Sequence, residues 1–369
     1  MKKKIVLILF LLLLFTNTIV AQDSEYPTLY KGKVVEVVSE TEADIETSGG
    51  SYNRTIQLVR VELLDQDKKG QIVEIENYID EIMAYTVSID KGDAVYVFFE
   101  YDDEGNELRA HINDFRRDST IYWLLGFFAI LMVLIGGTKG VKSLVTLFIT
   151  VIAIYYMLQG ILDGGNPFFL SIVISLIVTL VTMFVVAGFN VKAVSAIIGT
   201  FAGVIIAGIL SLVISRSANL TGLGNTEAQM LLFSDYPVKF DIAGILFASI
   251  LIGTLGSVMD VCMSISSSIN EITEANPLMS TMELFKSGMN IGKDVMGTMV
   301  NTLILAYVGS SVFLILIFMV NRMPYINIVN MDIVATEVVR AIAGTIGLIC
   351  AIPATAIISA HLEKKSVGY

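Results

Sequence analysis

The sequence predicts an α-helical polytopic membrane bundle of about seven mature transmembrane helices, preceded by a small exported all-β domain. Three observations predict this class. Apolar residues make up 54% of the 369 residues, and charged residues only 16%. Several uncharged runs reach roughly 20 residues, the length of a helix that crosses a bilayer. An acidic segment with strand-like alternation precedes those runs.

Residues 1–21 have the pattern of a secretory signal. Three lysines precede a long apolar core, and the chain then turns polar. Ala21 offers a cleavage point, whereas Ile19 is large for the preceding recognition position. An uncleaved membrane anchor is therefore the alternative. In both cases the segment that follows is exported.

Residues 22–118 are predicted to form the exported β-domain. Stretches such as "RTIQLVRVELL" and "DAVYVFFEY" are rich in β-branched and aromatic residues, and turn-forming stretches such as "DKGD" and "DDEGN" separate them. Roughly four or five short strands at this spacing predict a small antiparallel sandwich or an OB-like barrel. With 23 acidic and 10 basic residues, the segment is unsuited to bind nucleic acid or anionic lipid.

Residues 119–362 are predicted to be the transmembrane domain, and residues 363–369 a cytoplasmic tail. The apolar runs predict helices near 121–136, 143–162, 168–188, 193–214, 242–262, 297–320 and 338–360. Gly199 and Gly203 form a GxxxG pattern in the fourth of these helices. Such small residues let helices approach closely, so this pattern predicts tight helix packing.

The distribution of basic residues predicts the orientation. If the β-domain is outside, the inner segments hold seven basic residues and the outer loops hold three. The inner ones are Lys139, Lys142, Lys192, Lys286, Lys293, Lys364 and Lys365, and the outer ones are Arg216, Lys239 and Arg322. Arg116 and Arg117 count against this orientation, but the positive-inside rule favours it overall. We therefore expect a multi-pass protein of the bacterial cell membrane with a cytoplasmic C-terminus.

The fifth and sixth predicted helices carry polar faces near the same membrane side. Asp260 and Ser264 lie on one face of the fifth helix. Asn290, Asp294 and Asn301 lie on one face of the sixth. Two interpretations of the aspartates remain open: they converge on a cation, a proton or a basic partner, or they are solvated at the lipid headgroups. Asn301, about one turn inside its helix, is expected to hydrogen-bond another helix.

Glu337 and Arg340 are three residues apart near the start of the last predicted helix. This spacing puts them on one helix face, where they can pair with each other or with a loop. Residues 341–360 carry no charge and suffice to cross a bilayer, so both side chains can lie at the outer interface. A charge inside the membrane would instead indicate a functional site.

Residues 264–295 predict a cytoplasmic amphipathic hairpin between the fifth and sixth helices. Asn276 and Pro277 interrupt helical structure, and Ser280 followed by Glu283 is the pattern of a capping box. Apolar residues from Leu278 onward form one face of the second arm. We expect this arm to lie on the inner leaflet or to dock a partner.

The sequence offers no catalytic or cofactor motif. Its two cysteines, Cys262 and Cys350, lie in apolar runs, and its two histidines, His111 and His361, are far apart. No HExxH, Walker or GxSxG pattern is present. We therefore expect no metal, no cofactor and no enzymatic activity.

Several stretches resemble the YibE/F-like family of bacterial multi-pass membrane proteins. They are "GTKG" (137–140), "MDVCMSISSSINEI" (259–272), "FKSGMNIGKDVMGTMVNTLILAYVGSS" (285–311) and "ATEVVRAIAGTIGLICAIPATAIISA" (335–360). The resemblance covers roughly residues 120–360, and the exported β-domain resembles the N-terminal part of such proteins. It implies an integral membrane protein without an established activity, and it supplies no catalytic residues.

Two functions are consistent with these features. The first is a permease or transporter for an ion or small solute, indicated by the number of spans and by the polar helix faces. The second is an interaction or assembly protein that presents the β-domain outside and docks a partner inside. The expected partners are accordingly the lipid bilayer together with a small solute or ion, another copy of the chain, or another membrane protein. Nucleic acid is not expected to bind.

Overall fold

The structure is a computed structural model that describes residues 27–47, 50–65, 67–83, 85–102, 104 and 106–366. It divides into two compact units, residues 1–131 and 132–369. The predicted signal segment, residues 1–21, lies outside the described residues.

The N-terminal unit contains an antiparallel sheet of five strands in the order β3-β2-β1-β4-β5. The strands are β1 (Tyr30–Thr47), β2 (Gly50–Leu63), β3 (Ile72–Asp80), β4 (Ala94–Tyr101) and β5 (Glu107–Phe115). Register shifts just after Val34 and Val37 interrupt the pairing of β1 with β2. Such bulges bend a strand and increase its twist, and here β1 pairs with β2 over most of its length and with β4 at its start.

Alternating apolar residues form the core of this sheet. In β4, Val95, Val97 and Phe99 are buried and their neighbours are less so, which confirms the predicted strand alternation. Within the described residues all five strands belong to one sheet, so a sandwich of two separate sheets is not formed. The physical reason is that the long, bent β1 joins both halves of the sheet. The edge strands β3 and β5 lie near each other as a result.

The first helix, α1 (Asp118–Leu162), covers both of the first two predicted spans. It has 45 residues and is interrupted at Gly137, whose φ of 54° and ψ of −129° are not helical. A positive φ of this kind favours glycine. A side chain at Gly140 would collide with the carbonyl oxygen of Met132. In a straight helix those residues would be about 12 Å apart, so the chain turns back sharply at Gly137.

The remaining described helices include four long ones and four short or bent ones. They are α2 (Pro167–Ala187), α3 (Val191–Ser217), α4 (Thr226–Leu232), α5 (Ile242–Ala275), α6 (Thr281–Ser310), α7 (Val312–Val320), α8 (Tyr325–Val329) and α9 (Asp332–Ser366). Within the described residues, five helices are long and apolar enough to span a membrane, and the bent pair α6–α7 raises this to six.

The predicted helix 297–320 differs from the structure at both ends. Its helix begins at Thr281, where Ser280 and Glu283 form the predicted capping box. It ends at Ser310, and α7 continues at an angle of 58° to it. The predicted hairpin thus forms between α5, which ends at Ala275, and α6. The predicted span is not a single helix because the chain bends at Ser311, in the small and polar stretch Gly309 to Ser311, where helices commonly kink.

Three helices form the centre of the second unit: α3, α5 and α9. Gly203 of α3 lies against Gly347 and Ala351 of α9, and Gly199 lies against Thr355. Lower residue numbers in α3 therefore contact higher residue numbers in α9, which means that the two helices are antiparallel. The packing role predicted for Gly199 and Gly203 is confirmed, and glycines of α9 complete the interface.

Candidate functional site

Helices α5 and α9 touch each other through polar side chains along much of their length. We define the polar seam as three pairs that succeed one another by one helical turn: Cys262 with Thr355, Ser266 with Ser359, and Asn270 with Glu363. Their contact distances are 3.1, 3.3 and 3.3 Å. Each partner lies 93 residues further along the chain, which means that α5 and α9 run parallel.

A charged pair continues this interface toward the start of α9. Arg340 donates through Nη1 to Glu337 Oε1 at 2.6 Å and through Nη2 to Ser249 Oγ of α5 at 3.4 Å. The side chains of Arg340 and Glu337 are only 23% and 25% exposed. The pair is therefore largely desolvated, in contrast to a surface ion pair.

A cavity of about 250 Å³ lies beside this pair, between α5, α9 and the segment 222–231. Its polar lining consists of Asn225, Glu227, Ser249, Thr336, Glu337 and Arg340. Two buried groups of that lining, the Nε of Arg340 and the Oγ1 of Thr336, have no hydrogen-bond partner among the described residues. Since buried polar groups are nearly always paired, two unpaired groups on residues that line one cavity are an unusual feature of this site.

Local contacts hold the segment 222–231 over the cavity. The backbone N–H and the hydroxyl of Thr221 donate to the carboxylate of Asp332 at 3.0 and 3.2 Å. Gly224 lies directly on the backbone of Ile333, where any side chain would collide. The first turn of α9 thus fixes the loop that covers the cavity.

An apolar groove of about 490 Å³ lies on the other side of Glu337. It is lined by α9 and by residues on both sides of the bend at Ser311, such as Tyr307 and Phe318. Glu337 lines both the groove and the polar cavity. Glu337 therefore belongs to the walls of both spaces.

Two family models match the chain. The model of the YibE/F-like protein matches residues 124–365, and the model of the YibE/F family N-terminal domain matches residues 28–115. The chain belongs to the YibE/F-like family. The two matched regions correspond to the helical bundle and the five-stranded sheet, and the family together with the long apolar helices makes this a multi-pass membrane protein. No curated protein and no solved structure matches the chain.

The charge pair that the sequence singled out in this YibE/F-like chain, Glu337 and Arg340, forms the ion pair beside the cavity. Asp260 and Ser264 are exposed on α5 and lie outside the polar seam. Asn290 and Asp294 are exposed on α6. Among the described residues, neither Asp260 nor Asp294 has a hydrogen-bond or ion-pair partner, and the structure does not bring the two into contact.

The contact surface between α5 and α6 explains this arrangement. Gly288 of α6 lies against Ile269, and Gly292 lies against Ile265. The two helices therefore meet through glycine and isoleucine, and their acidic residues are left outside the interface. Asn301 is exposed and has no hydrogen-bond partner among the described residues, so the predicted interhelical bond is not formed.

Sequence reasoning missed most of the polar seam of the YibE/F-like chain. Small polar residues recur every four positions in both helices, as Cys262, Ser266 and Asn270 in α5 and as Thr355, Ser359 and Glu363 in α9. That matched spacing is a signal for a shared interface. Thr336 and Ser249 carry no comparable signal, because each becomes notable only through the cavity it lines.

Proposed function

We propose that this YibE/F-like protein is a permease for a small polar solute or ion, and that the cavity beside Arg340 is where the solute binds. The observation that carries the proposal is the pair of buried, unpartnered donor groups on that cavity, Arg340 Nε and Thr336 Oγ1. Small-molecule sites are typically apolar clefts with a few such convergent polar groups.

The position of the charges supports a solute site. Glu337 and Arg340 lie directly before residues 341–360, which carry no charge. Largely buried charges are costly, and buried ionisable groups beside a cleft commonly mark functional sites. A purely structural pair would be expected to use all of its donors, whereas Arg340 leaves Nε unpaired.

The bent pair α6–α7 also supports transport. Its 58° bend at Ser311 borders the groove that shares Glu337 with the polar cavity. Discontinuous helices commonly surround the binding sites of transporters, since their exposed backbone ends face the solute. Movement of α7 relative to α6 is the step that we propose opens the groove.

The proposed topology has seven mature spans, with the β-domain outside and the C-terminus in the cytoplasm. The 45 residues of α1 would extend about 68 Å as a straight helix, more than twice the bilayer core, and the chain turns back at Gly137, so we count α1 as two spans that meet there. The parallel course of α5 and α9, with α3 antiparallel to them, agrees with this alternation.

For the exported domain we propose an OB-like barrel, because its strand order brings β3 and β5 close together.

A flux assay tests the proposal. The full chain, reconstituted in liposomes, is assayed for uptake of a panel of labelled inorganic ions, carboxylates, amino acids and sugars. We expect one class to be taken up, and Arg340→Gln to lower its rate by roughly tenfold or more, because a lost charge-assisted hydrogen bond costs about 1.5–3 kcal/mol. Arg216→Gln, which removes an exposed arginine of α3, is the matched control and is expected to leave the rate unchanged.

Equal rates for Arg340→Gln and Arg216→Gln would remove the proposed site. Absence of uptake for every member of the panel, with correctly inserted protein, would count against the permease.

The assembly function is the second candidate, and one observation favours it. Leu278 and Met282 are 91% and 59% exposed at the turn between α5 and α6. Two large apolar side chains exposed side by side suit a docking contact.

If this function holds, a photo-crosslinker at position 278 will capture one defined protein from native membranes, and Met282→Ser will weaken the capture. A crosslinker at the exposed Glu274 serves as the control. Recovery of no partner at position 278 would rule this candidate out.

A further inference from the structure

Glu363 lies at the end of the polar seam that is far from Arg340. Its buried carboxylate has few hydrogen-bond donors and no ion-pair partner among the described residues. Its residue is 3% exposed. Oε2 accepts a hydrogen bond from Asn270 Nδ2 at 3.3 Å, and the nearby hydroxyl of Ser366, which also acts on the carboxylate, donates to the backbone carbonyl oxygen of Glu363 at 2.7 Å. Oε1 is buried and has no hydrogen-bond partner among the described residues. A charged carboxylate normally requires several donors or a cation when it is removed from water.

The charged groups around Glu363 do not neutralise it. Glu274 of α5 and Lys192 of α3 are the charged residues that act on it, and they have opposite signs. Lys364, its neighbour on α9, donates instead to the carbonyl oxygen of Pro277 at 2.9 Å. No ion pair to Glu363 is formed within the described part of the chain.

We propose that Glu363 is a proton-binding site, and that the bound proton is the one coupled to solute movement. The coupling half of this proposal rests on the permease function proposed above, whereas the proton site itself does not. On uptake, a new O–H bond at the carboxylate converts the buried anion into a neutral acid. On release, the proton returns to water.

The surrounding groups favour a proton over a metal cation. A metal ion needs several oxygen ligands, whereas the nearest polar partner of the Glu363 carboxylate, Asn270, presents an N–H donor. Ser266, one turn further along the seam, already donates to the carbonyl oxygen of Lys192 at 2.8 Å. A proton requires only the free lone pair that Oε1 offers.

The contact between α5 and α9 connects the proton site with the solute cavity. Glu363 and Arg340 both belong to α9, about 35 Å apart, and both contact α5. Loss of the negative charge weakens the bond from Asn270 and so changes how firmly this end of α9 is held against α5. In this proposal a change in the packing of α9 on α5 links the two sites, and the link is reciprocal, so solute binding changes the proton affinity of Glu363 by the same factor.

Infrared difference spectroscopy on the full chain in liposomes tests the proton site directly. As the pH is lowered, we expect the wild type to show one titrating component of the protonated-carboxyl band that is lost in Glu363→Gln, seen in the difference between the spectra of the two proteins. The exposed Glu271→Gln is the matched control and is expected to retain the band. A band of unchanged size and titration in Glu363→Gln would overturn the proposal.

Asn270→Ala provides a second readout in case Glu363→Gln does not fold. Removal of the donor to the charged form is expected to move the midpoint of the band to higher pH by about one unit. An unmoved midpoint in a folded Asn270→Ala protein would contradict the assignment to Glu363.

Coupling is tested separately with a pH-sensitive dye trapped in the same liposomes. We expect solute uptake to carry protons in the wild type and not in Glu363→Gln. A titrating band without any solute uptake would leave the proton site standing and refute the permease. Solute uptake without proton movement would refute the coupling alone.

Discussion

Replacing Gly203 with leucine will prevent stable assembly of the helical bundle. Even the first carbon of a side chain at this position would lie 2.7 Å from Ala351 Cβ and 2.8 Å from the carbonyl oxygen of Gly347. The second neighbour is backbone and cannot move without displacing α9. Overpacking of this kind costs about 3 kcal/mol, so we expect little monodisperse protein after detergent extraction and a markedly lower unfolding temperature.

Gly256→Leu is the matched control for this substitution. Gly256 also lies in a long apolar helix, but nothing occupies the space within 4 Å of a Cβ placed there. The control protein is expected to extract and unfold like the wild type. If both substitutions had the same effect, the loss would come from leucine in a helix and not from the contact between α3 and α9.

Breaking the charge pair beside the cavity will have the second-largest effect on stability. Glu337→Gln removes the negative charge that compensates the largely buried guanidinium of Arg340 and leaves it only neutral acceptors, the glutamine amide oxygen and Ser249 Oγ. We expect a loss of about 2 kcal/mol in the free energy of unfolding. The double variant Glu337→Gln with Arg340→Gln is expected to recover part of this loss, because no unpaired charge remains. Chemical unfolding in detergent measures both.

The β-domain contains a matched control pair. Asp114 and Arg117 have the same three-residue spacing and the same 2.6 Å distance, but Arg117 is 52% exposed. Hydrogen bonding from Arg117 lowers the pKa of Asp114. Because water screens an exposed pair, we expect Asp114→Asn to cost less than about 1 kcal/mol. Equal costs for the two pairs would mean that burial does not strengthen the dependence of Arg340 on Glu337.

Local patterns explain what the sequence predicted correctly. The alternation of Val95, Val97 and Phe99 directly specifies a strand with one buried face. Ser280 and Glu283 specify the start of α6 through two hydrogen bonds that depend only on nearby residues. The GxxxG pattern at Gly199 and Gly203 likewise predicts close helix packing from residues of one helix alone, because only small residues allow another helix to approach so closely.

The features that escaped prediction depend on contacts between distant segments. The bend at Ser311 follows Gly309 and Ser310, a Gly/Ser cluster of the kind that permits a kink, but this cluster alone does not specify whether the helix bends there. Asp260 and Cys262 are only two residues apart, yet Asp260 is exposed and Cys262 is fully buried. Hydropathy predicts where a helix spans the membrane, but it does not predict how the helix is rotated about its own axis and so which side chains face its neighbours. Which polar residue is buried follows from where α3 and α9 pack on α5.

The central proposal is that the cavity beside Arg340, at one end of the α5–α9 interface, opens to the outside, where the proposed topology places the start of both helices. Cysteine labelling tests it most directly, in a background that lacks Cys262 and Cys350. Ser249→Cys on the cavity wall is compared with Ser266→Cys, which is fully buried in the same helix. We expect a small membrane-impermeant thiol reagent added outside intact cells to modify position 249 and not position 266. Modification of position 249 only from the cytoplasmic side, or equal reactivity at both positions, would contradict it.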